Sequence, residues 1–87
     1  MSRIGLPWRG ALQNTSQYGE WYGSKKVKGL NIIAKITMAG KGQYHWEIDS
    51  NIGVLAKGDE TANTGGLPAA KEAVSIALTD WAETYRG

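Results

Sequence analysis

His45 is the one histidine in the chain, and there is no cysteine. Any acid–base, nucleophilic or metal chemistry would therefore have to be built around a single imidazole. One imidazole with neither a thiolate nor a second histidine does not make a recognised zinc ligand set. As a general base, His45 would need a nucleophile within about 3 Å and a third group to orient it. Thr37 is a formal cross-strand neighbour, but an open sheet face offers no pocket that excludes water. A solvated histidine is the expected state. Glu47 and Asp49 share a face with His45, yet Lys35 opposite Glu47 makes an ion pair a better account than paired carboxylates. Gly40-Lys41-Gly42 lacks the wider glycine spacing and the Lys-Ser/Thr pair of a phosphate loop. Gly65-Gly66 precedes a helix and could aim amide donors at an anion, but such glycines more often end a loop. No catalytic residue, metal site or cofactor is expected, and the chain reads as a non-enzyme.

The residue types suited to binding lie elsewhere. Lys25, Lys26 and Lys28 follow Trp21 and Tyr22, and Trp8 stands beside Arg9. Basic residues interleaved with aromatics suit single-stranded nucleic acid, because rings stack on bases while lysines follow phosphates. The same types are also the ones enriched where protein partners become desolvated on binding. Against both stands a structural use: a small core needs aromatic side chains, and Trp8 can fold back onto the sheet.

Alternation positions these groups. Ile32, Ala34, Ile36 and Met38 share one face of a strand, and Ile33, Lys35 and Thr37 the other. Tyr44, Trp46 and Ile48 alternate with Gln43, His45, Glu47 and Asp49, the pattern of a sheet with one dry and one wet side. If Gly40-Lys41-Gly42 is a three-residue loop with a left-handed glycine, then Met38 faces Tyr44, Ile36 faces Trp46 and Ala34 faces Ile48. Lys35 then falls opposite Glu47, and Thr37 opposite His45. A one-residue slip would mix the faces, so this register is the one expected.

Tyr18–Ser24 reads as a first strand, followed by a basic turn through Lys25, Lys26 and Lys28 that ends at Gly29. Asp49 to Gly53 is turn chemistry, with Asn51 or Gly53 able to take positive φ. Val54 to Ala56 reads as a last strand ended by Gly58, with a register left open by a possible bulge. A helix begins near Leu67 with Pro68 in its first turn. Its apolar stripe is Ala70, Ala73, Val74, Ala77, Leu78, Trp81 and Tyr85, with Ile76 on the exposed side. The fold class expected is α+β: a three- or four-stranded antiparallel meander with one C-terminal helix packed on one face. Residues 1–17, broken by Gly5, Pro7 and Gly10, read as an irregular arm ahead of a single domain at 18–87.

Length and composition agree with one small domain. A chain of 87 residues buries only about 60–65% of the surface its unfolded form exposes. No apolar run approaches the ~18 residues of a membrane span, and no signal-peptide stretch follows Arg3 and Arg9, so the expected compartment is the cytoplasm. Asn14-Thr15-Ser16 fits the glycosylation pattern but is expected to be chance. Residues 1–57 hold eight of the ten Lys and Arg and three of the eight acids. This asymmetry fits two solvated surfaces of opposite sign better than a dedicated nucleic-acid stripe.

The stretch from Gly65-Gly66-Leu67-Pro68-Ala69-Ala70-Lys71-Glu72-Ala73 through Ala77-Leu78 resembles the end of a double-stranded-RNA-binding domain. That family implies phosphate contacts from a Lys-Lys-x-Ala-Lys run at the helix start. Here only Lys71 stands in such a run, and the family's first helix would fall on the Pro- and Gly-broken arm. Tyr44 to Trp81 is more similar to small phage-encoded proteins, among them anti-CRISPR proteins that inhibit type I systems. Its order is strand, Asn/Gly turn, strand, then an alanine-rich helix closing with Asp80-Trp81. That resemblance implies non-enzymatic, partner-blocking binding to a host protein or ribonucleoprotein complex. It transfers no binding residue, because such inhibitors share none. With the dry face and the helix stripe burying each other, the expected docking residues are Trp8, Arg9, Trp21 and Tyr22, steered by Lys25, Lys26 and Lys28.

Overall fold

The computed structural model describes residues 3–12 and 19–85. Residues 13–18, which hold Asn14-Thr15-Ser16 and the expected strand start at Tyr18, lie outside the described residues. Five antiparallel strands form one sheet in chain order: β1 (Arg9–Leu12), β2 (Gly19–Val27), β3 (Leu30–Gly40), β4 (Gln43–Ser50) and β5 (Gly53–Thr61). A 3₁₀ turn over Ala62–Thr64 leads into the single helix α1 (Gly66–Thr84), which lies over β4 and β5. The fold is thus the expected α+β meander with one C-terminal helix on one face. It gains an edge strand, β1, from residues read as irregular arm.

The β3–β4 register is the one derived from alternation: Met38↔Tyr44, Ile36↔Trp46, Ala34↔Ile48, with Lys35↔Glu47 and Thr37↔His45 on the other side. Gly42 takes the left-handed conformation at φ 73°. The turn itself is Lys41-Gly42 between paired Gly40 and Gln43, and an irregularity between Met38 and Gly40 restores the parity.

The β2–β3 hairpin differs from expectation. Lys25 and Lys26 continue the strand, and the turn is Lys28-Gly29 alone, with φ of 54° and 79°. Positive φ at both central positions is the type I′ signature, whose twist matches the flanking strands. The pairing Val27↔Leu30 closes that hairpin, so strand continuity outweighs the turn tendency of the lysine run.

The last hairpin turns at Asn51-Ile52, followed by Gly53 at φ 116°. Ser50 Oγ donates to the Gly53 carbonyl at 3.0 Å and accepts from the Ile52 amide at 3.1 Å. The register shifts between Ile48↔Ala56 and Asp49↔Val54, so Leu55 is the extra residue. β5 does not stop at Gly58 but runs to Thr61. Gly58 lies opposite Trp46, and a Cβ built there would sit 2.5 Å from the indole Cζ2. The glycine is a site of close approach inside a strand rather than a strand end.

Buried side chains meet between the two layers: Leu30, Ile32, Ala34, Ile36, Trp46 and Ile48 from the sheet, and Ala70, Val74, Leu78 and Ala82 from the helix. The stripe's centre is therefore rotated from the expected one. Ala82 is buried, while Ala73, Ala77, Trp81 and Tyr85 are flanking, half-buried contacts. Residues 3–8 form a strap on the same side of the sheet. Ile4, Leu6 and Trp8 pack against the core, and Leu6 and Trp8 cover Gly23 of β2. The strap is tied to the helix at Ile4, whose amide donates to Thr79 Oγ1 at 2.9 Å and whose carbonyl accepts from Ser75 Oγ at 2.6 Å. Arg3 also pairs with Glu72.

Candidate binding surface

Alternate residues of the same strands form the second face of the sheet, and neither the helix nor the strap covers it. Its rows follow from the registers. Arg9, Tyr22, Lys35, Glu47 and Lys57 stand side by side across β1 to β5. On one side of that row lie Glu20, Thr37, His45 and Asp59, and on the other Ser24, Ile33, Asp49 and Val54. Three of the large apolar or aromatic side chains exposed among the described residues belong to this face: Tyr22 at 40%, Ile33 at 50% and Val54 at 57%. Ile52 adds a fourth at the adjoining turn. Between Tyr22 and Ile33 the surface dips into an open concavity of about 510 Å³, lined also by Pro7, Arg9 and Ser24.

The seven residues expected to dock do not form one patch. Arg9, Tyr22 and Lys26 lie on the open face, Lys26 paired with Asn31 of β3. Trp8 and Trp21 lie on the packed face, both half-buried against the core. Trp21 lies over Gly19 with its ring 6.3 Å from that of Tyr44. Lys25 is exposed beside the strap, its Nζ 3.4 Å from the Gly5 carbonyl. Lys28 occupies the tip of the β2–β3 turn. Adjacent residues in a strand point to opposite faces, so Trp21 and Tyr22 cannot serve one surface.

Ile33 and Val54, exposed on this face, are not among the residues expected to dock, although alternation does place Ile33 on the face away from the core. Ile33 had a usable signal, an apolar residue in the polar register of an alternating strand. Val54 had none, because its face depends on the bulge at Leu55.

Tyr22 Oη donates to Glu20 Oε2 at 2.7 Å, and this hydrogen bond to a carboxylate raises the Tyr22 pKa. His45 Nδ1 lies 2.9 Å from Asp59 Oδ1, with side-chain exposures of 40% and 78%. Asp59, His45 and Thr37 thus stand in a row on adjacent strands, in the order of groups an orienter, base and nucleophile would take. Among the described residues no hydrogen bond joins the ring to Thr37, and the row sits on a solvated surface rather than in a cleft. A productive base must be within hydrogen-bonding reach of the proton it takes. The described residues hold no cluster of three or more His, Cys, Asp or Glu placed to bind a metal ion. No helix among them is long and apolar enough to cross a membrane.

No protein-family model matches the chain, and no curated protein or solved structure does either.

Proposed function

We propose that this chain is a non-catalytic binding domain of the inhibitor type, which blocks a host protein or ribonucleoprotein complex through the open face of its sheet. One observation carries the reading. A broad, uncovered sheet face displays Tyr22, Ile33 and Val54 among charged side chains, with a concavity at its Arg9–Tyr22–Ile33 corner. Tyr22 and Ile33 are diagonal neighbours on β2 and β3 at that concavity, with Val54 beyond Asp49, and an exposed apolar pair ringed by polar groups supports an interaction site. Tyrosine and arginine are also over-represented among residues that dominate binding energy. The partner class is taken from the order of elements from Tyr44 to Trp81, which resembles that of small phage-encoded inhibitors of type I systems. A single-stranded nucleic acid is a poorer fit, because it needs exposed rings to stack on. Trp8, Trp21, Trp46 and Trp81 are all engaged in packing, which leaves Tyr22 as the exposed ring among the described residues.

The test is a plasmid-establishment assay in cells with an active type I interference system. Expression of the chain should restore establishment of a targeted plasmid. The double variant Tyr22→Thr/Ile33→Thr, which retains strand-forming residues, should abolish that effect without lowering the melt. Loss of activity in Glu72→Lys/Ile76→Thr instead, with the sheet variant active, would move the interface to the helix exterior. A partner bound only at low salt would favour nucleic acid.

A further inference from the structure

β5 is an edge strand of nine residues whose outer side has no partner strand among the described residues. Such an edge presents unpaired amide and carbonyl groups, and proteins ordinarily blunt it with charges or bulges. β5 has both, a bulge at Leu55 and the charges of Lys57, Asp59 and Glu60. The arrangement of those charges is what distinguishes it. Lys57 and Asp59 project on the open face and flank Gly58, so the pattern reads with opposite sign when the strand is reversed.

From this we infer that β5 pairs with β5 of a second copy of the chain, antiparallel and centred on Gly58. A two-fold axis through Gly58 sets Lys57 opposite the second copy's Asp59 and Asp59 opposite its Lys57. Opposite charges facing each other across an antiparallel pair are favourable, and like charges are not. The two neighbouring registers that keep the faces matched fail this criterion, since they centre on Lys57 or Asp59 and oppose like to like. A one-residue shift places the open-face residues of one copy against the packed-face residues of the other.

The helix layer accommodates the same pairing. The axis stands perpendicular to the sheet, so both helices lie on one side of it. With α1 over β4 and β5 and strands ~4.8 Å apart, the two helix axes come about 10 Å apart, a normal packing distance. The flank of α1 turned toward the β5 edge is opposite the one that Ser75 and Thr79 present to the strap. Helical spacing places Ala69, Ala73 and Ala77 on it, small enough for a neighbouring helix to approach.

Sedimentation equilibrium of the full chain, from about 10 µM to 0.5 mM, tests the pairing. The expected result is a monomer–dimer equilibrium. Lys57→Asp and Asp59→Lys should each weaken it about tenfold or more, and the double exchange should restore it to within about threefold. Lys35→Asp places a like charge beside the same Glu47 from β3, away from the edge, and should leave association unchanged. A monomer throughout the range overturns the inference. So does a dimer that is indifferent to Lys57→Asp, or single-variant losses that the double exchange does not repair.

Discussion

In β3, Ile32, Ala34 and Ile36 are sealed from solvent, while Ile33 between them is half exposed. The contrast holds across the sheet. One face meets the helix and the strap and is filled by Trp46, Ile48 and the small residues Ala34 and Gly58 that make room for them. The other is a mixture of charged, hydroxyl and apolar groups with no second layer among the described residues. A residue on the packed face is constrained by shape on several sides. One on the open face is constrained by little beyond strand propensity, which frees it for a partner.

The contrast can be attacked first at its centre. Trp46→Ala removes the largest buried ring between sheet and helix and should cost about 3–5 kcal/mol. Against a total of roughly 5–10 kcal/mol for a domain of this size, the variant should be largely or partly unfolded at 37 °C in a circular-dichroism melt. A melt within a degree or two of the parent would place Trp46 on the surface. Gly58→Ala tests the same contact from below. The added methyl enters the space of the indole, and overpacking of this kind should cost about 1–3 kcal/mol in a denaturant titration.

The β2–β3 turn sharpens the comparison from outside the core. Lys28 holds a left-handed φ of 54° that asparagine adopts more readily. Lys28→Asn should therefore raise stability by roughly 0.5–1 kcal/mol, seen as a higher denaturation midpoint with unchanged slope. The smallest effect belongs to the open face itself. His45→Ala removes an exposed partner of Asp59 and should change stability by no more than a few tenths of a kcal/mol. It should also leave the proposed inhibition intact in the plasmid-establishment assay. A tenfold loss of activity with an unaltered melt would instead bring the Asp59–His45–Thr37 row back as chemistry.

The sheet spreads the seven residues expected to dock over both of its faces and one turn. Lys25, Lys26 and Lys28 are close in sequence and look like one basic turn. Strand alternation and the I′ turn send them to the strap side, the open face and the hairpin tip. Trp8 and Trp21 are of the type that dominates desolvated interfaces, but for Trp8 the alternative use, folding back onto the sheet, is the one seen. Both cover glycines, Gly23 and Gly19, on the packed side, where a small core uses them. Local composition does not say which way a side chain points, and in a strand a shift of one residue reverses the answer.

What the residues determined by themselves was the period-two alternation of β3 and β4, hence which face is dry, and the register of their hairpin. That register was legible because only one pairing keeps the apolar residues of both strands on the same side. The alanine-rich helix was legible for the same reason, through its own period. Three features belonged to the tertiary structure alone. They are the position of the bulge at Leu55, the passage of β5 through Gly58 beneath the Trp46 ring, and the strap that carries Ile4 and Leu6, with Trp8, beside the helix. The strap depends on contacts distant in the chain, Ile4 with Thr79 and Ser75, and the bulge and Gly58 on how β5 settles against β4 under the helix. Local periodicity carries no record of such contacts, since only the packing of one layer on the other decides whether they form.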